Sequence, residues 1–394
     1  MTRDPRGQLA GLPLLEDLPD VAGRRVLVRE DFNVPLRRPT GPEGPVEVAD
    51  DFRLRAALPT LRWLLDHGAE VTACTHLGRP DGREDRRFDV APVRTRLAEL
   101  APGVELLENL RYDPGEESDD AAFTDRLVKG FDCYVNDAFG ASHRPHASIV
   151  GPPARLPSAG GRLLAREVEV LGGLLDRPPR PFLVVVGGAK VADKLGVLGA
   201  LLGSVDRLLV GGAMAFTFLA ATGHRVGSSL CDRSSLARCR QLLADAGDRI
   251  LLPEDVIVRR AEADGPDAET ARSGPDIADG WVGLDIGPAT AQTFATALAR
   301  AETVLWNGPM GVFEDPRFAA GTEAVAKAGA DAPAFTVVGG GDSAAALAQL
   351  GLSDRVSFVS TGGGASLELI EHGDLPGLAA LRAAVNAPHG ERSG

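Results

Sequence analysis

Short apolar runs of strand length alternate with amphipathic stretches of helical period from about Arg25 onward. In the first half of the chain these runs occupy residues 25–28, 70–75, 104–107 and 131–135. Such alternation is typical of α/β proteins whose sheet is mostly parallel. The pattern therefore predicts an α/β fold in which strands are followed by helices.

The second half repeats one unit, an apolar run that ends in glycines and leads into a helical pattern. The runs at 182–186, 208–210, 334–338 and 356–360 lead into glycines at 187–188, 211–212, 339–341 and 362–364. In a doubly wound sheet such turns lie at the carboxyl ends of the strands, where ligands bind and helix N-termini attract phosphate. One such turn is equally well explained as a tight connection. Four in one domain favour a phosphate-binding crevice.

Length and proline placement predict two domains. A chain of 394 residues exceeds what one hydrophobic core usually supports. A helical run at residues 163–175 is bracketed by proline-rich breaks, as is typical of an element that joins domains. We expect a first domain over 1–160, a joining helix and linker over 161–180, and a second domain over 181–376. Prolines and glycines between 39 and 44 predict an exposed loop over 37–48.

Composition narrows the possible partners. A net charge of −13 argues against nucleic acid, so any bound anion needs a local basic cluster. The four cysteines show no CxxC spacing and do not resemble a disulfide framework. Neither a signal peptide nor an apolar run of membrane-spanning length is present in the sequence. We therefore expect a cytoplasmic chain with no membrane partner.

Lysine is scarce, which makes its positions informative. Of 42 basic residues only four are lysine, and two of these, Lys190 and Lys194, follow the first glycine turn. If the helix starts at that turn, both lie on one helix face, where two ammonium groups would stabilise a transferring phosphoryl group. The alternative is a solvated helix face. Neither a Walker A pattern nor GxGxxG occurs in the sequence, which argues against P-loop ATPases and ordinary dinucleotide enzymes.

Two further stretches carry candidate chemistry in the second half. Asp342 is placed in the first turn of a helix, where it either caps the helix or holds Mg²⁺ beside a nucleotide. The stretch from Trp306 to Glu314 gathers rare residue types after an apolar run, as a binding loop does. Glu314 is either an acceptor for ribose hydroxyls or a surface carboxylate.

The first half holds a separate set of charged and polar residues, several of them directly after predicted strands. Each alone is more often a surface salt-bridge partner, but strand ends in one sheet meet at one edge. Together they predict a basic patch for a small multivalent anion, since arginine suits phosphate and carboxylate. The set is Asp31, Asn33, Arg53, His76, Arg79, Arg111, His143 and Arg144.

Over essentially its whole length, the chain resembles the phosphoglycerate kinase family. Nine matching stretches occur in order, and they carry the resemblance. They are residues 28–35 (VREDFNVP), 76–80 (HLGRP), 108–111 (ENLR), 136–140 (NDAFG), 187–194 (GGAKVADK), 214–218 (MAFTF), 284–288 (LDIGP), 306–314 (WNGPMGVFE) and 360–368 (STGGGASLE).

The resemblance implies two doubly wound, Rossmann-like domains of the α/β class that face a central cleft and are joined by a helix hinge. It implies that the segment 377–394 returns to the first domain, and that the chain is a monomer. It also implies a cleft that closes when 3-phosphoglycerate or 1,3-bisphosphoglycerate is bound on one side and Mg²⁺ with ADP or ATP on the other.

Site residues follow from the resemblance by motif match. Phosphoglycerate would be bound by Asp31, Asn33, Arg53, His76, Leu77, Gly78, Arg79, Arg111, His143 and Arg144. The nucleotide, its metal or the transferred group would be bound by Lys190, Lys194, Gly212, Gly283, Asn307, Glu314, Gly340, Gly341, Asp342 and Ser343, with Asp342 as the metal ligand. Catalysis would rest on Arg53 and Lys194, with backbone N–H donors from the turns at Gly341 and Gly364.

A few positions depart from the family pattern. Glu30 stands where an apolar residue is usual, Phe52 precedes Arg53 where a small polar residue is common, and Ala213 replaces a third glycine. None of these removes a charged group given a role above. They leave three alternatives open: the glycolytic enzyme, a paralogous kinase for another small carboxylate, and a catalytically silent nucleotide-binding paralogue.

Overall fold

The structure is a computed structural model that describes residues 11–38, 44–262 and 268–386. Residues 39–43 of the predicted loop and 387–394 of the predicted returning segment lie outside the described residues. The chain divides into two compact units. Unit 1 comprises Met1–Asp176 with His372–Gly394, and unit 2 comprises Arg177–Glu371.

Unit 1 is built on a five-stranded parallel sheet in the order β5-β4-β1-β6-β7, with a separate antiparallel pair, β2 and β3. Its strands are β1 Arg25–Arg29, β2 Leu36–Arg37, β3 Glu47–Val48, β4 Glu70–Cys74, β5 Glu105–Leu106, β6 Cys133–Asn136 and β7 Ser158–Gly160. Its helices before the unit boundary are α1 Phe52–Asp66, α2 Ala91–Leu100, α3 Ala121–Val128, α4 Ala147–Val150 and α5 Arg162–Asp176.

The central strand β1 shows why this sheet is covered on both faces. Val26 and Val28 pack into the cluster that holds buried residues of α1 and α2. Leu27, pointing the other way, packs with Phe123 of α3 and Ala147 of α4. Because successive side chains of a strand alternate between faces, an apolar β1 is buried from both sides, as in a doubly wound sheet.

Unit 2 contains a six-stranded parallel sheet in the order β10-β9-β8-β14-β15-β16 and an antiparallel sheet in the order β12-β11-β13. Its strands are β8 Phe182–Val186, β9 Arg207–Val210, β10 Ile250–Leu251, β11 Val256–Arg260, β12 Thr270–Ser273, β13 Trp281–Ile286, β14 Thr303–Asn307, β15 Phe335–Gly339 and β16 Phe358–Val359. Its helices are α6 Leu195–Leu202, α7 Met214–Ala221, α8 Leu236–Ala246, α9 Pro288–Leu298, α10 Ala320–Asp331, α11 Gly341–Gln349 and α12 Gly363–His372.

The strand order of the parallel sheet in unit 2 reverses between β8 and β14. From β8 the chain goes to β9 on one side, and the later strands β14, β15 and β16 are added on the other. All five residues of β8 and of β14 are buried. Ligands bind at such a reversal, outside the carboxyl ends of the strands. The α/β class with two doubly wound parallel sheets is therefore confirmed, whereas the antiparallel sheet was not predicted.

The last helix, α13 Pro376–Asn386, belongs to unit 1, where the amide of Gly377 donates to the carbonyl of Ser142 (2.9 Å). The boundary at His372 lies slightly before the predicted one at 377. Among the described residues, the helices are too short or too polar to cross a membrane.

Candidate functional site

In unit 2 the glycine turns surround one cavity of about 190 Å³ at the carboxyl ends of β8, β14 and β15. Its walls come from three segments that are far apart in sequence. They are lined by Gly188, Ala189, Lys190, Asp193, Lys194, Asn307, Gly308, Pro309, Gly340, Gly341, Asp342 and Ser343.

Glycine is required where these turns touch. Gly212 has φ +63° and Gly308 has φ +95°, in the left-handed region that favours glycine. A Cβ at Gly212 would overlap the amide nitrogen of Gly188, and one at Gly308 would overlap the carbonyl of Gly187. Backbone therefore packs directly on backbone beside the cavity.

Two helices begin side by side at the edge of this cavity. Gly340, with φ +99°, precedes the first residue of α11, Gly341. A Cβ at Gly363, the first residue of α12, would overlap the Cα of Gly340. Gly364, which is exposed, follows in the first turn of α12. The free N–H groups of two helix N-termini therefore lie close together, as anion binding requires.

Lys194 projects its ammonium group into the same region. Nζ donates to the carbonyl of Gly187 (2.6 Å), to Oδ1 of Asn307 (2.8 Å) and to the carbonyl of Asn307 (3.3 Å). Burial lowers the pKa of Lys194 to about 8, although Asp342 and Asp193 act in the opposite direction. The ammonium group is thus held in place by neutral oxygens that an incoming anion can replace.

The prediction that Lys190 and Lys194 share one helix face is wrong. A 3₁₀ turn, Ala192–Lys194, follows the glycines, and α6 begins only at Leu195. Gly188 has φ +95°, which no right-handed helix accommodates, so the helix cannot start at the glycine turn. Both lysines nevertheless line the cavity, because the irregular segment folds along its wall.

Asp342 and Ser343 occupy the first turn of α11. Ser343 is buried, and its Oγ accepts from the amide of Gly308 (2.7 Å), which ties α11 to the β14 turn. Asp342 is an exposed carboxylate on the cavity wall. Within the described ranges no three His, Cys, Asp or Glu side chains form a cluster suited to a metal. A lone carboxylate fits Mg²⁺, which takes its other ligands from phosphate oxygens and water.

Three residues named for the nucleotide do not line this cavity: Gly212, which packs beside it, Gly283 and Glu314. Glu314 is exposed in the turn after β14. Gly283 lies within β13, where its amide donates to Ser229 Oγ (2.9 Å) and the ring of Phe216 occupies the place of a Cβ. Their proposed contacts would therefore lie outside the cavity that holds Lys194.

In unit 1 the acidic and basic residues that follow the strands form a paired cluster. Arg53 Nη1 lies 2.5 Å from Asp31 Oδ2, and His76 Nδ1 lies 4.0 Å from Asp31 Oδ1. Burial raises the pKa of Asp31, but the charges of Arg53 and Arg29 and the hydrogen bond from the Asn33 amide outweigh it and hold the pKa below its ordinary value. Burial lowers the pKa of His76 well below its ordinary value, against the pull of Asp31. Asp31 is thus an anion beside a neutral imidazole at neutral pH.

The turn after β4 connects this cluster to Arg111. The amide of Gly78 donates to Asn33 Oδ1 (2.9 Å), and the carbonyl of Gly78 accepts from Arg111 Nη1 (2.8 Å). The amide of Leu77 donates to Asn109 Oδ1 (3.2 Å). The turn therefore holds Asn33 and Arg111 on either side of its backbone.

The remaining predicted cations lie around Arg111. Burial lowers the pKa of Arg111, and the nearby charge of Arg79 acts in the same direction. Burial also lowers the pKa of His146 to about 4, helped by the charges of Arg111 and Arg144. Arg144 Nε is 2.9 Å from His143 Nε2, and both Arg79 and Arg144 are exposed. The cations of unit 1 thus form one region of positive charge.

Sequence reasoning missed the buried residue at the centre of this region, Arg29. Its side chain is fully buried, and Nε donates to Ser148 Oγ (2.8 Å). Nη2 lies 3.3 Å from His76 Nδ1 and 3.8 Å from Glu116 Oε1. The available signal was a charged residue directly after the apolar residues 26–28.

Glycine turns, lysines and a helix-borne aspartate around one cavity are features typical of α/β proteins that bind phosphate groups. The sequence model of the family "Phosphoglycerate kinase" matches residues 15–105 and 101–373. The chain therefore belongs to the phosphoglycerate kinase family.

Individual relatives agree with this assignment. Phosphoglycerate kinase of Salinispora arenicola is 54% identical over 400 residues, covering 93% of this chain and 98% of the relative. Phosphoglycerate kinase of Rubrobacter xylanophilus is 50% identical over 385 residues, covering 92% and 96%. The solved structure of phosphoglycerate kinase from Coxiella burnetii has a TM-score of 0.79 at 37% identity and covers 94% of this chain and 98% of that one. That from Pyrococcus horikoshii OT3 has a TM-score of 0.82 at 29% identity and covers 95% and 100%.

Proposed function

We propose that this chain catalyses reversible phosphoryl transfer from 1,3-bisphosphoglycerate to Mg-ADP, giving 3-phosphoglycerate and ATP. The observation that carries the proposal is the ammonium group of Lys194 beside a glycine-lined cavity whose walls include Asp342. Family membership supports the choice of substrates.

The phosphoglycerate side of the reaction belongs to unit 1 in this proposal. Arg53 and Arg111 are held by Asp31 and by the carbonyl of Gly78, so their guanidinium groups are oriented before substrate arrives. Preorganised cations favour a small multivalent anion over water. The exposed residues Arg79 and Arg144 supply charge that the substrate can reach.

The nucleotide side belongs to unit 2. The N–H groups at the starts of α11 and α12 would bind phosphate oxygens, and Asp342 would hold Mg²⁺ bound to the same phosphates. When bound, Mg²⁺ neutralises charge on the phosphates. Lys194 would leave its present acceptors on Gly187 and Asn307 and donate to the transferred phosphoryl group, with Arg53 as its counterpart on the phosphoglycerate side.

The reaction needs no general base on the protein. In the direction that forms 1,3-bisphosphoglycerate, the acceptor is the carboxyl group of 3-phosphoglycerate, which has a reference pKa of about 4 and is ionised at neutral pH. Catalysis is therefore positioning and charge stabilisation, which fits a set of cations and backbone donors. Because the two ligands are proposed to bind to different units, transfer requires closure, which stays a prediction.

A coupled assay with purified protein, Mg-ATP and 3-phosphoglycerate tests the proposal. We expect turnover that requires both ligands. Binding of nucleotide without turnover would support the silent paralogue, and turnover only with a different phosphorylated carboxylic acid would support the paralogous kinase. Either result contradicts the proposed function.

A further inference from the structure

The sheet of unit 1 brings two buried carboxylic acid residues, Glu30 and Asp137, to neighbouring positions just beyond the ends of β1 and β6. Val28 pairs with Val135 and Arg29 with Asn136 in the parallel register of β1 and β6. Continuing that register by one residue pairs Glu30 with Asp137, on the same face as the two valines. The backbone bond from the Asp137 amide to the Arg29 carbonyl (2.9 Å) keeps the strands together at this point.

Both side chains are fully buried, and three of their four carboxyl oxygens lack a protein partner. Glu30 Oε1 and Oε2 and Asp137 Oδ2 make no hydrogen bond, in contrast to Asp137 Oδ1. Buried polar atoms of native proteins are nearly always paired, so orphaned oxygens on neighbouring residues call for an explanation. If one of the two carboxyl groups carries a proton, it can donate a hydrogen bond to an oxygen of the other. This would give one of the unpaired oxygens a partner without a water molecule or a third residue.

The paired oxygen of Asp137 holds the start of α5. Oδ1 accepts from the amide of Leu164 (2.9 Å), and the carboxyl lies against Gly161, where a Cβ would overlap it. Thr60 of α1 completes this contact, because its Oγ1 accepts from the amide of Arg162 (2.7 Å). The first turn of α5 is thus fixed by Asp137, and α5 is the last helix of unit 1 before Arg177.

We propose that Glu30 and Asp137 share one proton at neutral pH and that this proton keeps the first turn of α5 attached to the sheet. Glu30 is the donor and Asp137 Oδ2 the acceptor. Loss of the proton places two anions side by side in the interior, so the pair is a pH-sensitive latch that loosens as the solution becomes alkaline. The latch is independent of the proposed catalytic function.

The electrostatic surroundings favour this state. Burial raises the pKa of Glu30 well above its ordinary value, and the neighbouring charge of Asp137 raises it further. Burial raises the pKa of Asp137 to about 6. Charges that act on the pair are Arg29 and Asp31 from the end of β1 and Arg162 from α5, while Cys74 of β4 and Tyr134 of β6 are held neutral by burial.

The sign of the pH effect follows from proton linkage. Folded Glu30 keeps its proton above about pH 4.5, where the unfolded chain loses it. Stability contributed by the protonated group is therefore lost as pH rises from that value toward the folded pKa. Asp137 adds to this loss only up to about pH 6. Above pH 6 the part of the dependence that comes from this pair belongs to Glu30.

Equilibrium unfolding of the full chain at a series of pH values tests the latch. Glu30→Gln keeps a donor for Asp137 but cannot ionise. We measure the ratio of the unfolding constant of the wild type to that of the variant. We expect this ratio to grow by up to about tenfold per pH unit above pH 6. Glu70→Gln, at an exposed position at the start of β4, is the matched control and should follow the wild type. A ratio for Glu30→Gln that stays constant with pH overturns the proposal.

Two measurements on the wild type do not depend on a variant that folds. Infrared spectra should show the carbonyl stretch of a protonated carboxylic acid at pH 7, and its absence overturns the proposal. Hydrogen exchange, corrected for the intrinsic pH dependence, should show the Leu164 and Ala165 amides losing protection at alkaline pH before the amides of β1. Simultaneous loss in both places contradicts a latch at α5.

Discussion

The two units prepare for anions in different ways. In unit 1 the charged side chains hold one another: Arg53 pairs with Asp31, and Arg111 Nε lies 3.0 Å from Glu117 Oε1. In unit 2 the backbone itself makes the site, and a single lysine rests on carbonyl oxygens. Pairing with a carboxylate fixes the direction of each guanidinium group, which suits a small acid that makes few contacts. Exposed N–H groups at helix N-termini suit the phosphate chain of a nucleotide.

The comparison predicts where single changes do most damage. Both units should be sensitive to the loss of their catalytic cation, whereas unit 2 should also be sensitive to the addition of one methyl group where backbone packs on backbone. The following changes separate these two expectations.

Removing either proposed catalytic cation should have the largest effect. Lys194→Ala or Arg53→Ala should lower kcat by about 100-fold or more, the scale for losing one group that stabilises transition-state charge. Steady-state kinetics with saturating ligands measures it. Lys327→Ala, which removes an exposed lysine paired with Glu323, is the matched control and should leave kcat unchanged. Near-normal kcat in either cation variant refutes that role.

The close backbone packing can be tested with one methyl group. Gly212→Ala forces a Cβ into Gly188 at a positive φ, and overpacking of about 2 kcal/mol corresponds to about 30-fold weaker nucleotide affinity. Gly223→Ala shares the positive φ but meets nothing within 4 Å, so it should keep nucleotide affinity. Equal effects of both variants on ADP binding would mean that strain, and not contact beside the cavity, is responsible.

Asp342 tests the metal on the nucleotide side. Asp342→Asn should raise the Mg²⁺ concentration for half-maximal activity by about tenfold, since losing one interaction with a charge costs about 1.5 kcal/mol. A Mg²⁺ titration at fixed ATP measures this change. Asp354→Asn, in the 3₁₀ turn after α11, is the control. An unchanged Mg²⁺ requirement in Asp342→Asn leaves Asp342 as a capping residue.

The last prediction concerns pH, and its effect at pH 8, about twofold, is the smallest of the four. The pKa of Lys194 is about 8 in the free protein, and the charged form is the one that binds phosphate. As pH rises through 8 the charged fraction falls, so kcat/KM for the nucleotide should be about half its neutral value at pH 8 and decline about tenfold per unit well above it. A profile that stays flat to pH 10 contradicts the role of a buried ammonium group.

Much of this architecture was accessible from the sequence because it depends on local pattern. The glycine runs follow β8, β9, β15 and β16 as predicted. The start of α6 was predicted wrongly, because the positive φ of Gly188 prevents a helix from beginning at the glycine turn, whatever the spacing of Lys190 and Lys194. The buried position of Arg29 was also not predicted, because its partners Ser148 and Glu116 are distant in sequence and contact it only in the folded unit.

The division of labour between the units is the central claim, and calorimetric titration tests it most directly. Wild type, Arg53→Ala and Gly212→Ala are each titrated separately with 3-phosphoglycerate and with Mg-ADP. We predict that Arg53→Ala loses affinity only for 3-phosphoglycerate and Gly212→Ala only for Mg-ADP. If either variant weakens both ligands to the same extent, the assignment of one ligand to each unit is contradicted.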